Sequence, residues 1–153
     1  MATDPERLRR RGLARRLISG PARIRRAAEV AAQATPIPGE WTAQQIVLHL
    51  VAVETEVFQP RLFDLAEVSS PEWEWVEPAP AEAGLGESLA DSLLRFAAAR
   101  LGTLDWVAGL DEDGWRRSGR HATLGRLDVG GLLALAVDHD QEHLAALVRL
   151  GHG

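Results

Sequence analysis

The sequence predicts an all-α protein, a four-helix up-down bundle in one domain of ordinary size. Four segments carry apolar residues at helical spacing, and proline and glycine cluster between them. No segment shows the strict apolar–polar alternation of a half-buried strand. A chain of 153 residues with 46% hydrophobic residues can bury the core of such a bundle without disulfides.

A basic segment precedes the predicted bundle. Nine arginines fall within the first 26 residues, and we expect residues 1–19 to form an extension outside a bundle domain at 20–153. Such a cluster either binds an anionic partner or forms a solvated helix, and nucleic acid is disfavoured because no aromatic residues accompany the arginines. Gly20-Pro21 is predicted to end the extension, so that Pro21 opens the first bundle helix at about 21–34.

The second bundle helix has a clear beginning. Thr42 is a favoured N-cap, and Gln45 completes a capping box with it. An apolar stripe follows at intervals of three and four residues, made by Ile46, Leu50, Val53 and Val57. Pro60 is predicted to kink or end this helix, which resumes in the apolar residues after it.

A long loop, residues 69–86, separates the second helix from the third. Its tryptophans Trp73 and Trp75 either anchor the loop to the body of the protein or cover a pocket. The third helix is predicted at about 87–109. After a loop with several glycines, the fourth helix is predicted to begin at the N-cap Asp128 and to continue almost to the C-terminus.

Three histidines on apolar stripes are the candidate metal ligands. His139 and His143 lie four residues apart at the centre of the fourth-helix stripe, and His49 lies on the second-helix stripe. A buried polar group without a partner costs about 1–3 kcal/mol, whereas one shared cation would satisfy all three rings. His121, in the loop before the fourth helix, is expected to be a surface or loop residue and not a fourth ligand.

The ligand set predicts an open metal site. Structural zinc sites are closed by four protein ligands, whereas three ligands leave a position for water or substrate. Imidazole suits several metals, so the predicted cofactor is a divalent metal ion, with Zn or Ni favoured. Cysteine, lysine and tyrosine are absent, which excludes thiolate, Schiff-base and phenol catalysis by the protein's own side chains.

Acidic residues beside the two fourth-helix histidines are candidates for assisting roles. Asp140 and Glu142 are the candidate catalytic residues, as an orienting group or a base, and Asp138 also flanks His139. The sequence HDQEH matches the HxxEH pattern of inverted zinc peptidases. Those enzymes take a third ligand well downstream, and only ten residues follow His143, so a peptidase is disfavoured.

Two segments of the chain resemble motifs of the DinB-like superfamily, the DNA-damage-inducible or YfiT-like proteins. Residues 40–50 (EWTAQQIVLHL), followed by Glu54, resemble the family's W-[ST]-x-x-x-I-x-x-HL…E motif. Residues 121–125 lead into the sequence VDHDQEHL, which resembles the family's closing HDxxH helix. The similarity begins at about residue 19, where the sequence SGP resembles the start of the first family helix.

This resemblance implies a four-helix bundle with a metal held by His49, His139 and His143, and frequent homodimers. Family members include transferases and isomerases that use bacillithiol, mycothiol or glutathione, and metal-dependent hydrolases. The resemblance thus implies a metal-dependent enzyme with a small-molecule substrate, either a thiol-dependent S-transferase with a low-molecular-weight thiol as co-substrate or a related hydrolase. Two alternatives stay open, a non-catalytic metal-binding stress-response protein and a bundle whose histidines are core residues.

Composition favours a cytoplasmic protein. No hydrophobic run approaches the roughly 20 residues of a membrane span. The N-terminus also lacks the apolar stretch of a signal peptide. With a net charge of −5, the molecule as a whole is not built to bind nucleic acid.

Overall fold

A computed structural model describes all 153 residues of the chain and contains a four-helix bundle, as predicted. The third and fourth bundle helices lie where the sequence predicted them. No helix combines the length and the apolar character that crossing a bilayer requires. The helical elements are α1 (Asp4–Ala31), α2 (Ala43–Val53), a π-helical segment (Glu54–Phe58), α3 (Gln59–Glu67), α4 (Leu89–Ala108), α5 (Glu112–Arg116) and α6 (Val129–Gly151).

Helix packing brings the histidine-bearing helices together. Helix α1 packs along α6 and against α4, and α2 packs against α4 and also contacts α6. Two apolar clusters fill the bundle, one around Leu17 and Leu132 and the other around Phe96 and Leu147. Since α2 and α6 face each other across this core, residues on their inward stripes can meet.

Local capping explains why the two histidine-bearing helices begin where they do. The Thr42 hydroxyl accepts from the Gln45 N–H at 3.2 Å, and the Gln45 side chain accepts from the Thr42 N–H at 2.9 Å. This is the predicted capping box. The Asp128 carboxylate caps α6 by accepting the Gly131 N–H at 2.8 Å. Both predicted helix starts are therefore confirmed.

The prediction that Gly20-Pro21 breaks the first helix is wrong. Helix α1 continues through both residues. Pro21 has no N–H to donate to the Leu17 carbonyl, which is its partner in a regular α-helix. The Arg100 Nη1 donates to this carbonyl instead, at 3.0 Å. A side chain from α4 thus replaces the missing backbone donor, which is why the helix does not end.

The arginines of the first helix are mostly solvated, which was one of the two interpretations. Among the nine, only Arg10 is partly buried, where it pairs with Glu112 at 2.9 Å and stacks on the Trp115 ring. The others are exposed along α1. The division into an extension at 1–19 and a domain at 20–153 stays a prediction.

The second bundle helix does not end at Pro60. It runs from α2 through the π-helical segment into α3, and Pro60 occupies the first turn of α3. The Gln59 N–H donates to the Glu54 carbonyl five residues back, which widens the helix ahead of the proline. The residues after this turn are therefore rotated relative to a regular α-helix.

A small sheet contradicts the expectation that the chain has no strands. Strand β1 (Glu72–Trp73) pairs in parallel with β2 (Ser118–His121), which pairs antiparallel with β3 (Gly125–Asp128). Strands of two to four residues are too short for a visible alternation. The pairing of β1 with a segment 48 residues further along the chain attaches the long loop to the bundle.

Candidate metal centre

Three imidazole nitrogens converge between α2 and α6. The Nε2 of His139 lies 3.2 Å from the Nε2 of His49 and 3.0 Å from the Nε2 of His143. One ligand atom from each residue lies within 4.8 Å of the others. The structure therefore brings together all three residues that the sequence predicted as metal ligands.

A backbone contact fixes the protonation of His49. Its Nδ1 lies 2.8 Å from the Pro78 carbonyl oxygen, and a carbonyl only accepts, so Nδ1 carries the proton and donates it. In the neutral ring, Nε2 then presents a lone pair toward the other two histidines. His49 is buried, and Pro78 belongs to the long loop, so this loop orients the ring.

The surroundings keep the other two rings neutral. Burial, followed by the charges of His143, His49 and Arg100, lowers the pKa of His139 to about 3. Burial and the charge of His49 also lower the pKa of His143, against the opposing effect of nearby carboxylates. Neutral imidazole is the form that binds metals.

The arrangement of the three nitrogens suits binding of one shared cation better than hydrogen bonding among the three rings. A proton on His139 Nε2 can point at only one of its two neighbours, so the other contact lacks a good hydrogen bond. In a tetrahedral zinc site with bonds of 2.0–2.1 Å, two nitrogen ligands lie about 3.3 Å apart. The two separations that involve His139, 3.0 and 3.2 Å, are close to this value, and all three ligand atoms lie within 4.8 Å of one another. The residues present therefore suit a divalent ion with an open coordination position.

A cleft of about 320 Å³ opens onto the histidines. Its walls come from α2, the π-helical segment, α3, the long loop and α6. The apolar lining residues are Val53, Val57, Phe58, Trp75, Val76, Leu124 and Leu135, and the polar ones besides the histidines are Arg61, Glu77, Asp138 and Glu142. The cleft has room for a small organic molecule beside the candidate metal site.

Comparison with known proteins identifies the family. The sequence profile described as the DinB superfamily matches residues 20–147. The chain belongs to the DinB superfamily. This result confirms the resemblance that the two histidine motifs indicated.

A solved structure supports the same fold. The chain is similar to YfiT from Bacillus subtilis, described as a probable metal-dependent hydrolase with an unusual four-helix bundle topology. The two share 20% sequence identity with a TM-score of 0.73, over 99% of this chain and 89% of the YfiT chain. At this identity the likeness establishes a shared fold. No curated protein matches the chain in sequence.

The two candidate catalytic acids of this DinB-superfamily chain lie in different places. Glu142 lines the cleft beside the histidines and is exposed to solvent there. Asp140 is not part of the cleft, because both of its oxygens accept from Arg100, at 2.7 and 2.8 Å. The structure therefore brings Glu142, and not Asp140, toward the three candidate ligands. Asp138, expected on a solvated face, is exposed and also borders the cleft.

Arg100 is the centre of a buried ion cluster next to the metal site. It donates from Nε and Nη2 to the Glu54 carboxylate at 2.8 and 3.2 Å, in addition to its two bonds with Asp140. Burial opposes its charge, but the hydrogen bonds and charges of these two acids raise the pKa of Arg100 above its ordinary value. All three side chains are almost completely buried. Asp140 is thus committed to an internal ion pair.

The expectation of a surface position for His121 is wrong. The residue ends strand β2 and is 1% exposed. Its Nδ1 accepts the N–H groups of Thr123 and Leu124 at 3.0 and 3.1 Å, which ties the turn into β3. Periodicity could not show this, because the burial arises from sheet pairing and from the ring of Trp75, which lies 6.0 Å away.

The two loop tryptophans have different roles, one as an anchor of the loop and the other as a wall of the cleft. Trp73 is buried and donates its Nε1–H to Asp64 at 3.0 Å, so it anchors the loop. Trp75 is largely exposed and lines the cleft.

Sequence reasoning missed Arg61 and Glu77 as lining residues of the cleft. Glu77 reaches the cleft through the fold of a long loop, which no local pattern encodes. Arg61 follows the π-helical segment, whose extra backbone width changes the helical register that a count from His49 assumes.

Proposed function

We propose that the chain is a metal-dependent enzyme that acts on a small molecule, with hydrolysis as the reaction best supported. The observation that carries this proposal is the convergence of three imidazoles on one point at the wall of a cleft. His49, His139 and His143 would hold the ion. When bound, a divalent ion such as Zn or Ni supplies a Lewis acid that lowers the pKa of a water molecule or thiol in its open position.

The protein's own residues would prepare the site in two ways. The Pro78 carbonyl holds the His49 ring with its Nε2 lone pair facing the site, so that no reorientation is needed when the ion binds. Glu142, exposed on the cleft wall, would accept a proton from the attacking group, whereas Asp138 and Glu77 add negative charge that attracts the cation. Asp140 would act through Arg100 as a structural residue.

Two further observations bear on the reaction type. The description of YfiT as a probable metal-dependent hydrolase favours water as the nucleophile. Thiol-dependent S-transfer is the second candidate, because the chain has no cysteine, lysine or tyrosine and a cleft of about 320 Å³ has room for more than a water molecule. Cytoplasmic location and homodimerisation belong to this proposal as well.

The experiment that tests the metal centre is elemental mass spectrometry of the untagged protein. We expect close to one divalent ion per chain in the wild type and in His152→Ala, whose histidine lies exposed at the C-terminus. We expect His139→Ala to contain none, because it lacks the central nitrogen of the cluster. A wild type that binds neither Zn nor Ni after incubation would refute the proposal.

Turnover would then be measured with the metal-loaded wild type on ester, amide and thiol-transfer substrates. Glu142→Gln should keep the metal and lose most of the rate, about 100-fold or more for a general base. Asp138→Gln, on the same cleft wall, is the matched control and should change the rate less. If metal-loaded protein turns over no substrate of either class while it keeps its ion, the non-catalytic metal-binding protein is the better interpretation.

A further inference from the structure

Arg61 is a buried arginine that has no carboxylate partner. It lies in α3, is 8% exposed and lines the same cleft as the three histidines. Its Nη2 donates to the Glu74 carbonyl at 2.8 Å, and its guanidinium lies 5.8 Å from the ring centroid of Trp73. Its other N–H groups have no acceptor in the protein, and it forms no salt bridge. Buried arginines without a paired acid are rare.

Arg100 is a buried arginine of this chain whose guanidinium nitrogens all donate to acceptors in the protein. Its guanidinium donates to two carboxylates and one carbonyl, and no donor faces the cleft. Arg61 is nearly as buried, yet it binds one carbonyl. Burial lowers the pKa of Arg61, partly offset by the charge of Asp64, so the protein leaves this cation under-compensated. Its remaining N–H groups reach solvent, so they are available to an anion from outside.

A second donor without a partner lies behind the same wall of the cleft. The Nδ1 of His121 accepts two N–H groups, so in the neutral ring the proton is on Nε2. This Nε2 is buried and has no hydrogen-bond partner. The ring lies against Trp75 and holds the N–H of Leu124, and both of these residues line the cleft. Burial and the charge of Arg61 lower the pKa of His121, which keeps the ring neutral and its Nδ1 an acceptor.

The cleft wall carries charged groups of both signs. The carboxylates that act on His143 are those of Glu142, Asp140 and Glu77. The charge of Arg61 acts instead on His121, where the carboxylate of Glu74 opposes it. The cleft wall therefore carries carboxylates near the histidines and one guanidinium, that of Arg61, among apolar side chains.

We propose that Arg61 binds the carboxylate of a small substrate, whose apolar body lies along Trp75 and Leu124 and whose reacting group reaches the histidines. This inference deepens the proposed function, since the same cleft receives the substrate. The planar guanidinium offers a fork of N–H groups that matches a carboxylate. His121 is a positioning residue that holds the Trp75 and Leu124 wall. The substrate class is thus a monocarboxylate with an aromatic or aliphatic body.

The test compares two probes of equal shape, 3-phenylpropionate and its uncharged amide, by isothermal titration calorimetry on the full chain. The titrations are done with zinc-loaded protein and with protein treated with chelator. Wild type should bind the acid at least about tenfold more tightly than the amide in both states, because a charge-assisted bond to Arg61 forms only with the acid.

Three variants identify the group responsible. Arg61→Gln should abolish the preference for the acid, and Arg61→Lys should keep part of it because the charge remains and the fork is lost. Arg120→Gln removes the same charge from an exposed residue next to His121 and should change nothing. Circular dichroism melts show whether each variant is folded. If Arg61→Gln is not folded, the comparison of acid and amide binding in the wild type and in Arg61→Lys tests the inference.

Equal binding of acid and amide by the wild type would overturn the inference, and so would a preference that persists in Arg61→Gln. If the preference for the acid over the amide is lost in His139→Ala and kept in Arg61→Gln, the carboxylate binds the metal. This result would also overturn the inference. A preference that depends on Arg61 in a chain that binds no metal would support this inference and refute the metal-dependent function, so the two can fail separately.

Discussion

Two buried polar clusters lie side by side in this bundle. They differ in whether the protein itself supplies a hydrogen-bond partner for each polar group. The ion cluster joins Arg100 to Glu54 and Asp140 with hydrogen bonds of 2.7–3.2 Å. The histidine cluster joins three bases whose nitrogens face one another. Helix α6 contributes to both clusters, because His139 and Asp140 are consecutive in it.

The difference separates a structural role from a functional one. In the ion cluster each donor has an acceptor of opposite charge, so nothing is left to bind a ligand. In the histidine cluster the two contacts of His139 Nε2 cannot both be good hydrogen bonds, and a cleft gives access from solvent. A buried polar group that the protein does not satisfy is thus a better indicator of function than a buried charge as such.

The largest expected effect tests the ion cluster. Arg100→Met leaves two buried carboxylates and the Leu17 carbonyl without their donor, and should lower the free energy of unfolding by about 3–5 kcal/mol in urea titrations. Arg95→Met is the control, because Arg95 lies on the same helix in a more exposed pair with Glu87 and should cost less than about 1 kcal/mol. Equal losses in the two variants would show that the buried cluster has no special weight.

The next effect tests the histidine cluster. Zinc at 100 times its dissociation constant should raise the free energy of unfolding of the wild type by about 2.7 kcal/mol, because the ion binds the folded chain. His139→Ala should show no zinc-dependent stabilisation, whereas His152→Ala should behave as wild type. Stabilisation that persists without His139 would place the bound zinc elsewhere.

A third prediction concerns how closely α1 covers the ion cluster. A Cβ at Gly20 would lie 2.4 Å from the Asp140 Oδ2, an oxygen held by Arg100, so Gly20→Ala should cost about 1–3 kcal/mol. Gly12→Ala in the same helix meets no atom within 4 Å and should stabilise the protein by about 0.5–1 kcal/mol. Thermal or urea unfolding of both variants would show whether their changes in the free energy of unfolding have opposite signs. A stabilising Gly20→Ala would contradict the close packing.

The smallest expected effect is a pH dependence. The pKa of His139 falls to about 3 in the folded chain, so below the ordinary pKa of histidine the unfolded chain binds a proton that the folded chain does not. Metal-free protein should therefore lose stability as the pH falls below about 6.5, by about 1 kcal/mol from His139 between pH 7 and pH 5.5. His139→Gln should reduce this loss in urea titrations across that range and His152→Gln should not; a loss that is unchanged in His139→Gln would contradict the assignment.

Much of the fold and of the metal centre followed from local sequence. The capping residues Thr42 and Asp128 determine where α2 and α6 begin, because their hydrogen bonds are made within three residues. Helical periodicity then turns His139, His143 and His49 toward the core. Since the two motifs also resemble those of the DinB superfamily, the sequence alone predicts the three candidate ligands.

Tertiary structure decided the features that depend on distant residues. Helix α1 continues through Pro21 because Arg100 donates to a carbonyl 83 positions earlier in the chain. The same arginine takes Asp140 away from the histidines, although Asp140 and Glu142 look alike in sequence. The π-helical turn and the loop bring Arg61 and Trp75 to one cleft. Sequence therefore determined the helices and the inward histidines through interactions within a few residues, whereas long-range contacts decided which polar groups are paired and which are left for a ligand.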